Sequence, residues 1–129
     1  MKSRDNLLRL KHFQVQEKTR QLAQIDMMLA EFDRMAGDLR NQIDVEEKKA
    51  GITDISHFAY PTFAKAARIR VDNLENSIND LREKRAPAEE ALKEAEEELR
   101  KAELKEARGN GETIDPVVEE QIERRMMIG

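Results

Sequence analysis

Residues 22–43 read LAQIDMMLAEFDRMAGDLRNQI. Stepped in sevens, Leu22, Leu29, Ala36 and Ile43 fall at one position, a, and Ile25, Phe32 and Leu39 at a second, d. Every a and d residue here is apolar, the stripe of a helix that packs along one partner helix rather than inside a globule. Outward from this stretch the a positions continue through Val15 and Leu8 on one side and Ala50 on the other. The d positions turn polar: Lys11, Lys18 and Glu46. The only helix breaker is Gly37, which costs about 1 kcal/mol relative to Ala. Lys48 and Lys49 suit the negative end of the helix dipole, and Gly51 suits the left-handed residue that closes a helix.

A second stripe follows after about a dozen residues: Ala64, Ala67, Val71, Leu74, Ile78, Leu81, Arg85, Ala88, Leu92, Ala95, Leu99 and Ala102. Its spacing alternates three and four, and only Arg85 breaks it. Pro87 removes one intrahelical hydrogen bond, so a kink is expected there, either a tolerated bend or a hinge. Arg108-Gly109-Asn110-Gly111 stops the helix. A third, short helix is expected with Asp115 as N-cap and Pro116 in its first turn. The connection over 51–62 is too short to run back along helices of roughly 70 Å, so the first two must be antiparallel. Charge agrees: six basic residues against two acidic ones in the first twenty, and nine Glu against six basic residues over 83–106. An antiparallel fold brings these together and sets Lys11 near Glu106. The expected fold is all-α: a long antiparallel two-helix coiled-coil hairpin with a short C-terminal helix. It forms one domain, 1–129, with helices at about 3–50, 63–108 and 116–128 and loops at 51–62 and 109–115.

Composition points the same way. Of 129 residues, 39% are charged and 4% aromatic, with no Trp, too few large apolar groups to fill a globular core. With no Cys, disulfides, thiolate metal sites and cysteine nucleophiles are excluded. The longest charge-free run, Ile55 to Ala64, is ten residues, half of what a membrane span needs. No apolar stretch follows Lys2 and Arg4, so no secretory signal is expected and the default location is cytoplasmic. A net charge of −4 argues against nucleic acid, and Asp5 and Glu17 blunt the basic N-terminal run. Gly109-Asn110-Gly111 lacks the lysine and spacing of a phosphate loop, and His12 and His57 have no partner at metal-ligand spacing. No catalytic residue, cofactor or metal is therefore expected; the chain reads as a binding protein and not an enzyme.

Two apolar groups lie outside the stripes. Phe58, Tyr60 and Phe63, three of the chain's five aromatics, crowd into six residues at the expected hairpin tip. They either plug the end of the coiled coil or form a partner-binding set of rigid anchors. At the other end, Leu7, Leu10 and Phe13 fall at g, c and f, off the stripe. Val117, Val118, Ile122, Met126, Met127 and Ile128 add a second apolar group. Either the third helix folds back over Leu10 and Phe13 as a satellite core, or both termini form an adhesive end. The first is favoured because large exposed patches are uncommon on a monomer.

The opening residues, Met1-Lys2-Ser3-Arg4-Asp5-x-Leu7-Leu8-Arg9-Leu10-Lys11-x-Phe13-x-Val15-x-Glu17-Lys18, resemble the FliJ family of flagellar type III export proteins. The tip, His57-Phe58-Ala59-Tyr60-Pro61-Thr62, is similar to that of the family's alphaproteobacterial branch. The resemblance implies an antiparallel coiled coil at the cytoplasmic face of the flagellar basal body. It implies binding to the export ATPase and promotion of its ring assembly, contact with the cytoplasmic domain of the export gate, and cycling of export chaperones. Membrane association would come only through these partners. By the same resemblance Leu7, Leu10, Phe13 and the C-terminal segment would enter the ATPase ring, and the mid-to-tip region of the hairpin would touch the gate. The alternatives are a generic cytoplasmic coiled-coil adaptor and a self-assembling structural rod.

Overall fold

The computed structural model describes residues 2–109 and 116–128. They form three helices, α1 (Lys2–Ala50), α2 (Thr62–Gly109) and α3 (Pro116–Ile128), and no strand occurs among the described residues. The two long helices pack together. The expected cap Asp115 and the breaker residues Asn110 and Gly111 lie outside the described residues, as do the side chains of Met126 and Ile128. By contacts the chain divides into a tip unit, Gln24–Arg85, and a terminal unit, Met1–Ala23 with Ala86–Gly129.

In the tip unit the stripe becomes a core. Leu39, Ile43, Tyr60, Ala64, Ala67 and Val71 form one buried cluster, with Ile52 and Leu74 packed against it. Ala36, Ile78 and Leu81 are buried as well. Small residues do much of this: Ala36 and Ala64 have no exposed surface. The partners run in opposite directions, since Asp26, Arg40 and Glu47 pair with Arg85, Glu75 and Arg68 in that order. Arg85, the break in the second stripe, sends its Nε to Asp26 Oδ1 at 2.6 Å and a terminal nitrogen to Oδ2 at 3.2 Å. A charge in the seam is thus met by a carboxylate from the facing helix. That pairing fixes the register more than it adds stability.

Gly51 ends α1 as expected, at φ 70°. The N–H groups of Gly51 and Ile52 both donate to the Glu47 carbonyl, at 2.8 and 3.3 Å. Gly37 is different: a Cβ there would meet no atom within 4 Å, so packing does not require glycine.

The terminal unit is held differently. α2 supplies buried Leu92, Leu99 and Leu104, while no described residue of α1 up to Ala23 is buried. Leu8, Lys11, Val15, Lys18 and Leu22 keep the seam positions at intermediate exposure. Pro87 lies inside α2, which is one helix from Thr62 to Gly109. The expected Lys11–Glu106 pairing does not form; Lys11 Nζ lies 3.8 Å from Glu98. Leu7 and Leu8 line one hollow with Ala102 and Glu106. Lys11, a turn further along α1, therefore comes level with a residue a turn or two earlier on the oppositely directed α2.

Candidate interaction surfaces

The tip loop is built from local hydrogen bonds that aim its aromatics in different directions. Asp54 Oδ1 accepts from the Ser56 N–H at 3.0 Å and the Ser56 hydroxyl at 2.7 Å, a side-chain-closed turn. These bonds hold its carboxyl below the ordinary carboxylate value, with His57 adding to the effect. The Ala59 N–H donates to His57 Nδ1 at 3.0 Å, and the His57 ring stacks on Phe58 with centroids 4.8 Å apart. The His57 carbonyl in turn accepts from the Tyr60 N–H at 3.0 Å.

The three tip aromatics separate. Tyr60 is 7% exposed and belongs to the core, while Phe58 is 95% exposed and Phe63 53%. Tyr60 Oη donates to Glu47 Oε2 and accepts from Arg68 Nε, both at 2.8 Å, and an Arg68 terminal nitrogen reaches the same Glu47 oxygen at 2.8 Å. This closed triangle ties the loop to both helices. It lowers the Glu47 pKa, through Arg68 first and Tyr60 second, and raises that of Arg68. Plugging therefore falls to Tyr60 alone. Phe58 and Phe63, with half-exposed Ile55, form the apolar surface of the tip. Sequence reasoning missed Glu47 and Arg68; the signal was a lone Tyr flanked by an acid thirteen residues before and an Arg eight residues after.

In the terminal unit Leu7, Leu10 and Phe13 are all exposed, Phe13 at 57%. Phe13 borders a shallow groove with Gln14, Lys18, Ala91 and Ala95. α3 does not cover Leu10 or Phe13. It folds back instead onto α2, where Arg100 donates to Glu123 at 2.8 Å and Arg125 pairs with Glu103. Arg100 also holds Glu97, which lowers the Glu97 pKa and raises that of Arg100. Ile122 is buried and lines a hollow with Leu8, Glu103, Ala107 and Val118. Leu104 lies off the α1-facing stripe but is buried, because helical spacing puts it on the face with Arg100 that α3 reaches. At 13 residues α3 is near the lower limit for an isolated helix, so burial of Ile122, worth about 2 kcal/mol, matters to its persistence. Val117, Val118 and Met127 stay exposed.

Among the described residues no group of His, Asp and Glu is placed to hold a metal ion, and no helix is long and apolar enough to cross a membrane. His12 and His57 are both exposed. The chain matches no protein-family profile, no curated protein and no solved structure.

Proposed function

We propose that this chain is a non-enzymatic coiled-coil hairpin of the flagellar type III export apparatus, acting at the cytoplasmic face of the basal body. In this reading it binds and regulates the export ATPase ring and contacts the export gate and its chaperones. The observation that carries the reading is a coincidence of two things in one segment. The opening residues that resemble the FliJ family are also those where Leu7, Leu10 and Phe13 stand exposed on α1, outside any core. Apolar groups held in water on a rigid helix are what a partner interface uses as anchors. Phe58 and Phe63 offer a second such surface at the tip, for the gate.

The test is the ATPase rate and ring assembly of the cognate export ATPase with and without the purified chain. Stimulation with ring formation is expected, and Leu10→Ala with Phe13→Ala should abolish it while helicity is kept. No stimulation and no co-elution would reject the flagellar reading. A self-assembling rod is the second reading, favoured by exposed Met27, Met28, Val45 and Ile69 along the long helices. A stable dimer at micromolar concentration in sedimentation equilibrium would support it.

A further inference from the structure

The contact between α3 and α2 is coded by charge in both directions. Arg100 of α2 takes Glu123 of α3, Glu103 of α2 takes Arg125 of α3, and buried Ile122 lines a slot with Glu103 and Arg125. The slot thus reads an aliphatic residue followed by an acid one position on and an arginine three positions on. Yet α3 fits it incompletely. Glu103 Oε1 is buried and has no hydrogen-bond partner among the described residues, although the other carboxylate oxygen holds Arg125. Arg124, the next cation on α3, is turned to Glu120 at 2.6 Å and supplies nothing to it. Gln121 borders the same hollow as Glu103. A buried carboxylate oxygen left unpaired favours any occupant that brings it a donor.

We propose that the α2 face formed by Arg100, Glu103 and Ala107, with Leu8 of α1, is a docking groove for an amphipathic partner helix. That helix carries the same aliphatic, acid and arginine pattern as α3 plus one further cation for Glu103. In the free chain α3 fills the groove as a displaceable clasp. The partner wins because it completes the hydrogen bonding that α3 leaves open. This inference does not depend on the flagellar reading.

The test uses the full-length chain and a fluorescent peptide of the sequence of residues 116–128. Ile122→Asp in the chain unseats its own α3, so the peptide should bind this variant at least tenfold more tightly than the wild type. A peptide with Gln121→Arg, which supplies the missing donor, should bind several-fold tighter again. Hydrogen exchange should find α3 opening far faster than α2 in the wild type. Should Ile122→Asp misfold, Arg125→Glu in the chain serves in its place, with circular dichroism as the check on α1 and α2. Equal binding to variant and wild type, no binding to either variant, or α3 exchange as slow as that of α2 would overturn the clasp. A wild-type dimer with exchanged α3 would assign the groove to a second copy and overturn it equally.

Discussion

In the tip unit both helices contribute buried stripe residues, Ala36, Leu39 and Ile43 from α1, and the unit holds nine of the thirteen buried apolar residues among those described; in the terminal unit α1 buries none. The heptad spacing is the same in both. What differs is its content: a and d are all apolar from Leu22 to Ile43, whereas Lys11 and Lys18 stand at d before them. Across from these, Ala88, Ala95 and Ala102 offer little surface to bury. A seam's period decides that two helices pair, and its side-chain volume decides how firmly. The terminal unit recruits a third helix where its own stripe is too thin.

The most direct way to break this comparison is to remove equal side chains from each unit. Leu39→Ala, in the tip cluster, should cost about 2–4 kcal/mol in urea unfolding, and Leu22→Ala, half-exposed, about 1 kcal/mol. Equal losses would mean that the two units do not differ in core strength. Thickening the weak seam should sharpen it. Lys11→Leu with Lys18→Leu should add about 1–2 kcal/mol, read as slower amide exchange in α1 before Ala23 and unchanged exchange in the tip.

The smallest effect concerns the tip triangle. Tyr60→Phe should cost about 1 kcal/mol, because Arg68 and Glu47 lose the hydroxyl between them. The Glu47 carboxyl titrates below the ordinary 4.5 in the folded chain, so its contribution is full above that pH and is lost as pH falls through the lowered value. Tyr60→Phe should move the Glu47 titration back toward 4.5, measured by carbon NMR of its carboxyl. An unmoved titration would mean that Arg68 alone sets it.

The helices and their pairing were legible because a stripe repeating every three or four residues has only one way to be buried. Gly51 was legible because few residues tolerate its φ. The ion pairs were not. With 39% of the chain charged, Asp26–Arg85, Glu47–Arg68 and Arg100–Glu123 are a few choices among many, and only register selects them. The same uncertainty put Lys11 two turns away from its partner Glu98. Tyr60 could not be told from Phe58 by position; its hydroxyl finds two hydrogen-bond partners, Glu47 and Arg68, which a phenyl ring cannot use. The landing of α3 on α2 depended on charges that no apolar period marks.

Tyr60 is also the only tyrosine in a chain without tryptophan. Its phenol, locked against a carboxylate and a guanidinium, is therefore the molecule's dominant near-ultraviolet chromophore, and it reports on the tip unit alone. A melt followed by tyrosine absorbance records the loss of that triangle, while far-ultraviolet circular dichroism records all three helices. Were the terminal unit to come apart first, the second signal would fall while the first stayed unchanged. The temperature gap between the two curves would then read directly how independently the ends of this protein unfold.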